Sequence, residues 1–299
     1  MYTQSPDFAR LLSMALRKSS LPPGWHPQSA EGIARFLSGI AAGSGAARAV
    51  VAPHAGWAYS GKIAARALAR LDRGIDALAI LGGHLPSGRE PLFAMEGAAW
   101  TPLGPMRIDA ELREELIRET GGREDRGRDN TVEALLPMAR SFFPGAALLW
   151  MRLPDDPSSF EAGKALAAAA QRLGRRIAAV ASADLTHYGS GYGFAPAGSG
   201  AAALRWAREE NDRRFIEAVE SGDPEAVLER ARSDRSSCSA GAVACAMGFA
   251  QASGLGPARL AEYGTSAGAE EGWEGGSFVS YAALVFGAEP AGPAALSAL

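Results

Sequence analysis

Arg48-Ala49-Val50-Val51-Ala52-Pro53-His54-Ala55-Gly56-Trp57-Ala58-Tyr59-Ser60-Gly61 begins as a short apolar run and ends on a proline, a histidine and a turn-rich loop. The run, residues 48–52, reads as a strand, and residues 61–71 read as the helix that follows it. The same unit recurs downstream. Residues 77–81, 146–153 and 176–181 are apolar runs without alternation, as expected of strands covered on both faces. Helical segments at 110–120, 131–141 and 160–173 lie between several of them. Strands alternating with helices predict an α/β fold with a largely parallel or mixed central sheet between two helical layers.

Three of the chain's four histidines follow such a strand directly. His54 follows Val50-Val51-Ala52-Pro53, His84 follows Ile80-Leu81-Gly82-Gly83, and His187 lies just past Val180-Ala181-Ser182-Ala183-Asp184. Ligands of open α/β sheets bind outside the carboxyl ends of the strands, and three separate strands delivering an imidazole to that edge is hard to explain by packing alone. The fourth, His26 in Gly24-Trp25-His26-Pro27, reads as structural.

Cys238, in Arg235-Ser236-Ser237-Cys238-Ser239-Ala240-Gly241, stands where a helix over residues 238–253 should begin. Amides at a helix start favour a thiolate, which can ligate a metal or act as a nucleophile; the plainer alternative is an inert buried thiol. Cys245, inside the same helix, reads as inert. The two lie about 10 Å apart along a helix, too far for a disulfide. Two imidazoles and a sulfur would leave positions open for water or substrate, where a structural zinc site is closed by four protein ligands. That donor mix suits iron(II), copper or zinc and disfavours magnesium or calcium. Asp184, three residues before His187, either orients that imidazole or caps its loop.

The formal charge of −3 gives no basic face for nucleic acid or an anionic membrane. No apolar run approaches the ~20 residues of a membrane span, and free thiols suit a reducing compartment, so the expectation is a cytoplasmic protein. Gly56 to Lys62 has the spacing of a phosphate-binding loop, but Ile63 stands where Ser or Thr should hold magnesium, and Trp57 and Tyr59 fill the loop. Asn130-Thr131-Val132-Glu133 reads as a helix start, with an acidic group near the pocket as the alternative.

Further along, residues 201–220 and 224–232 read as amphipathic helices, and residues 259–264 and 278–286 as two closing strands. A short helix over 6–16 and another over 30–41 precede the first strand. The expected organisation is an N-terminal extension (1–20), one α/β domain (21–287) and a disordered tail (288–299).

Several segments, in order, resemble the Memo family, whose bacterial and archaeal members are often called AmmeMemoRadiSam system protein B. Residues 52–61 resemble its Pro-His-Ala-Gly-aromatic-x-aromatic-Ser-Gly signature. Ile80-Leu81-Gly82-Gly83-His84 is similar to its Ile-Leu-Gly-Pro-Ser-His block, with Gly83 departing from the Pro-Ser pair. Residues 129–137 resemble an acidic-His-Ser-Ile-Glu block, with Asn130 in place of the histidine. Residues 182–189 resemble Ser-Ser-Asp-Leu-Ser-His-Tyr-Gly, and residues 238–247 the helix beginning Cys-Gly. The resemblance implies a fold shared with class III extradiol dioxygenases, which use non-haem iron(II). It implies that His54, His84 and Cys238 are metal ligands with Asp184 and His187 alongside, and it suggests a functional link to AMMECR-type and radical SAM proteins.

The expectation is therefore a metal-dependent oxidoreductase. A divalent ion, iron first and copper or zinc next, is held by His54, His84 and Cys238. His187, oriented by Asp184, serves as acid and base. A small molecule enters past Trp57, Tyr59 and Tyr188. The alternatives are a non-catalytic peptide- or protein-binding module using the same cleft, and a metal-free thiol hydrolase using Cys238 and His187.

Overall fold

The computed structural model describes residues 15–40, 45–268 and 273–287. Four parallel strands form its centre: β1 (Ala49–Ala52), β2 (Ala77–Leu85), β3 (Ala147–Pro154) and β4 (Ile177–Ser182). β5 (Ala258–Thr265) and β6 (Phe278–Phe286) form an antiparallel hairpin. The spatial order is β5-β6-β1-β4-β2-β3, with β6 antiparallel to β1. Short pairs extend both edges: His187–Tyr188 on β6, and Leu92–Phe93 with Arg123–Glu124 beyond β3.

Successive strand residues point to opposite faces, so each apolar run feeds two cores. Ala49, Val51, Leu81, Leu149, Met151 and Ala179 face one. Val50, Ala52, Ile80, Leu148, Trp150 and Val180 face the other. On the second face lie α1 (Ala30–Leu37), α2 (Trp57–Ala69) and α5 (Leu136–Phe142). The first carries α3 (Ala110–Thr120), α6 (Ser158–Arg172), α8 (Asp212–Ser221), α9 (Pro224–Asp234) and α10 (Ala240–Ala252). The architecture is a three-layer α/β/α sandwich around a mixed sheet, as the repeated strand–helix pattern predicts.

α10 is buried on every side from Ala240 to Ala250, between the sheet and α6. Its small residues make that approach achievable. A Cβ at Gly163 of α6 would lie 1.9 Å from the Cys245 carbonyl oxygen, and one at Gly248 would lie 2.0 Å from that of Phe160.

Local differences from the sequence reading have identifiable causes. The helix expected over 131–141 splits into α4 (Asn130–Glu133) and α5. Pro137 has no N–H to give the Glu133 carbonyl, so the helix cannot run through. Asp129, not Asn130, caps α4, accepting from the Thr131 N–H. The helix expected over 201–220 is α7 (Gly200–Trp206), a π-turn (Ala207–Asn211) and α8. The wider turn sets two consecutive side chains on one target: Asn211 Nδ2 donates to Thr186 Oγ1 at 2.9 Å, and that hydroxyl donates to Asp212 Oδ1 at 2.6 Å.

The expected boundary at residue 20 also shifts. Leu16–Arg17 pairs in parallel with Ala98–Ala99, and Ser19 and Ser20 donate to the buried Glu133 carboxylate. Residues 15–20 therefore belong to the domain. Most of the helix expected over 6–16, and the tail 288–299, lie outside the described residues. Among the described residues, no helix is long and apolar enough to cross a membrane.

Candidate metal centre

The parallel strands end at one edge, and that edge collects the chemistry. β1 leads to His54, β2 carries His84 one residue before its end, β4 ends at Ser182 just before Asp184, and the α10 N-terminus brings Cys238. One donor atom each from His54, His84 and Cys238 lies within 4.8 Å of the other two. His54 is buried, Cys238 half-buried and His84 exposed at the rim, so the set opens to solvent on one side.

Each imidazole is tied down by its Nδ1. The Ser182 hydroxyl donates to the Thr131 carbonyl, so its oxygen must accept from His54 Nδ1–H, 3.0 Å away. That fixes the tautomer and leaves Nε2 3.4 Å from Cys238 Sγ. His84 Nδ1 donates to Asp129 Oδ2 at 3.0 Å. Imidazoles held through Nδ1 by an oxygen acceptor present Nε2 in the manner of metal-binding histidines. With nitrogen about 2.1 Å and sulfur about 2.3 Å from a tetrahedral ion, ligand atoms stand roughly 3.4–3.6 Å apart. The cluster fits such an ion with closure of about an ångström.

The backbone also serves this convergence. His84 has φ +57°, a left-handed conformation costing a non-glycine residue roughly 1–2 kcal/mol. The glycines before it allow close approach. A Cβ at Gly83 would lie 2.3 Å from Ser239 Cβ, and one at Gly82 would lie 2.3 Å from Thr131 Oγ1. Gly83, where the family block has its Pro-Ser pair, thus brings β2 against the loop that carries Cys238. That loop is held by the Cys238 N–H to the Asp184 carbonyl at 3.2 Å, and by the Gly241 N–H to Asp155 Oδ1 at 2.7 Å.

The electrostatics favour a thiolate among imidazoliums. Burial alone would push the Cys238 thiol up, but His54 and His84 outweigh it and hold the thiol well below its ordinary range. Burial disfavours charge on His54, yet Asp184 and Cys238 raise it to about 9. Burial likewise works against His84, and its bonds to Asp129 and Cys238 raise it to about 10. Cys245, by contrast, has its thiol raised by burial and takes no part.

Asp184 and His187 sit close to this set without forming a pair. Asp184 Oδ1 accepts the His54 backbone N–H at 2.8 Å, and its Oδ2 lies 3.8 Å from His54 Nε2. His187 Nδ1 donates to the Leu185 carbonyl at 3.0 Å. A backbone carbonyl, not Asp184, therefore orients His187. Its ring lines a cleft of about 420 Å³ together with His54, His84, Tyr59 and Asp184.

Two residues expected in that cleft lie elsewhere. Trp57 is buried in the core, its Nε1 donating to the Ala134 carbonyl at 2.8 Å. Tyr188 is buried against Phe278, with ring planes 11° apart, and its hydroxyl donates to Gly198. The aromatic wall is instead Trp25, Tyr59, Tyr192, Phe278 and Tyr281. Burial and Asp184 raise the Tyr281 phenol, so it stays a neutral hydroxyl. Asp129 and Ser182, the oxygen partners of the two imidazoles, were not singled out in the sequence as such. Ser182 occupies a buried position at the end of an apolar strand, and that was the available signal.

The sequence model of the family described as Memo-like protein matches residues 17–285. A MEMO1 family protein of Pyrococcus abyssi is 29% identical over 249 residues, spanning 79% of this chain and 85% of its own. Another, from Pyrococcus furiosus, is 27% identical over 289 residues, spanning 90% and 98%. An uncharacterized Escherichia coli K12 protein of known crystal structure aligns at 14% identity with a TM-score of 0.44, covering 79% of this chain and 99% of that one. With the family match running from the first strand, Leu16–Arg17, almost to the end of β6, the chain belongs to the Memo family.

Proposed function

We propose that the protein binds one divalent transition metal through His54, His84 and Cys238 and uses it for redox chemistry on a small molecule held in the aromatic cleft. The observation that carries this reading is the convergence of the three donors, with both imidazole Nδ1 atoms bound to oxygen partners. Thiolate with imidazole suits iron(II), copper or zinc. Iron stands first because the family resemblance points to a fold that uses it. When bound, iron or copper would supply one-electron steps, whereas zinc, which has no redox chemistry, would only polarise an atom of the substrate.

The chain's own residues do the rest. His187, with Nδ1 committed to Leu185, keeps Nε2 free to take or return a proton at the cleft. Asp184 holds the His54 backbone in place and sets its second carboxyl oxygen 3.8 Å from the His54 ring, while burial raises that carboxyl above its ordinary range. Tyr59, exposed at the cleft, provides an aromatic surface for the substrate. Two free thiols fit a cytoplasmic location, and AMMECR-type and radical SAM proteins are the partners this reading carries over from the family resemblance.

Anaerobic purification with elemental analysis tests the assignment. Wild type should carry close to one equivalent of iron, copper or zinc, and Cys238→Ser should bind it roughly 100-fold more weakly. Equal occupancy in both would remove Cys238 from the site.

One observation supports a second reading, a metal-free thiolate nucleophile. Cys238 lies 3.4 Å from His54 Nε2, so its imidazole partner would be His54 instead of the expected His187. That reading predicts rapid alkylation of Cys238 that chelators leave unchanged.

A further inference from the structure

A chain of buried charge runs from the N-terminal strand to the rim histidine. Arg152 is a lone cation near the end of the buried strand β3. Its Nε donates to the Gly83 carbonyl at 3.1 Å, and its Nη2 lies 3.2 Å from Asp129 Oδ2. That carboxylate oxygen also receives His84 Nδ1–H. Arg152 therefore grips His84 from two sides, through the carbonyl just before it and through the carboxylate against its ring.

The chain continues away from the site. Arg152 Nη1 donates to Asp125 Oδ1 at 3.3 Å, and Trp150 Nε1 donates to Asp125 Oδ2 at 3.0 Å. Arg17 donates to the Asp125 carbonyl at 2.6 Å, lies 3.5 Å from its Oδ2, and stacks 4.4 Å over the Trp150 ring. The side chains of Arg17, Asp125, Arg152 and Asp129 are all at most 9% exposed.

We propose that Arg152 is a positioning residue of the metal centre, holding His84 in its left-handed conformation with Nε2 turned toward Cys238, and that Arg17 extends this support to the N-terminal strand. The geometry explains why a charge stands in an otherwise apolar strand. A neutral side chain at 152 would leave Asp125 and Asp129 as buried carboxylates without their shared cation, and would free the Gly83 carbonyl and the His84 ring to turn. This inference rests on the metal-binding reading above, so its test includes a readout that needs no metal.

The test uses Arg152→Met, Arg152→Lys, Arg17→Met, Asp129→Asn and the Arg152→Met/Asp129→Asn double variant, with Co²⁺ and Zn²⁺ alone as probes. Arg152→Met should weaken Co²⁺ binding about tenfold, the low end of the range for groups bonded directly to a ligand because Asp129 stands between, and Arg17→Met, a step further back, should weaken it less. Because Arg152 works through Asp129, the losses of Arg152→Met and Asp129→Asn should not multiply in the double variant. Arg152→Lys keeps the charge and lacks the planar fork, so it should fold like wild type yet recover only part of the affinity.

In metal-free protein, nitrogen-15 histidine spectra should show a slowly exchanging His84 Nδ1–H in wild type that is lost in Arg152→Met. If Arg152→Met does not fold, Arg152→Lys and Arg17→Met carry the same readouts. A His84 signal unchanged in the folded variants overturns the proposal, as do losses that multiply. Wild type that binds neither ion, with the His84 signal lost as expected, would instead sink the metal-binding reading and leave the positioning of His84 standing.

Discussion

Metal affinity is expected to rise about 100-fold for each unit of pH between about 6 and 8. The metal-free site holds protons on His54, at about 9, and on His84, at about 10. Each must leave before its Nε2 can ligate. Cys238, held well below its ordinary range, is already a thiolate and contributes none. Two protons are therefore released per ion, and each adds about a factor of ten per pH unit. Ordinary values, about 6.5 for histidine and 8.5 for cysteine, would instead release about one proton near pH 7.5, mainly from the thiol. Competition titrations with Zn²⁺ across this range measure the slope, and calorimetry in two buffers counts the protons. A slope corresponding to a single proton would contradict the charge state derived for the cluster.

The same raised values bear on the metal-free fold. Their stabilising contribution is complete below the unfolded histidine value near 6.5 and is lost as pH rises through about 9 to 10.

Gly163→Ala is expected to destabilise the fold by about 3 kcal/mol, near the top of the usual range for overpacking. Helix propensity would favour the change by about 1 kcal/mol. Here the new methyl meets backbone, 1.9 Å from the Cys245 oxygen and 2.7 Å from the Phe249 nitrogen, so no rotamer change relieves it. α6 and α10 must separate, and α10 carries Cys238 just before its first turn. The fold should weaken and metal affinity should fall with it. Gly248→Ala should behave alike, whereas Gly145→Ala, with open space around its Cβ, should shift stability by less than about 0.5 kcal/mol. Urea midpoints compare the three, and equal midpoints for Gly163→Ala and Gly145→Ala would show that the helices have slack.

The strands and the strand-end histidines were legible because a run covered on both faces has one sequence signature, and its loop residues follow immediately. The third member of the cluster was legible from Cys238 standing at a helix start. The cleft was less so, although elementary periodicity held part of the answer. Trp57 and Tyr59 are two apart on α2 and so lie on opposite sides of the helix; only Tyr59 reaches the cleft. His187 and Tyr188 are neighbours on a strand and face opposite ways, which buries Tyr188 once His187 lines the cleft. Trp25, Tyr192 and Tyr281 come from distant segments, and no spacing in the sequence links them. Arg152 is one charge in the run Leu148-Leu149-Trp150-Met151-Arg152-Leu153, which reads as apolar throughout when that charge is passed over, and its partners depend on tertiary contacts.

β4 lies between β1 and β2 in the sheet although it follows both in the chain. While a ribosome is still making residues 177–182, the two halves of the imidazole pair have no common neighbour to hold them side by side. A loop of more than a hundred residues must close before they meet, and closures of that length come late in folding. On the metal-binding reading, the complete donor set exists only once β4 and then Cys238 have been made, so uptake of an ion would follow closure of the sheet and not seed it.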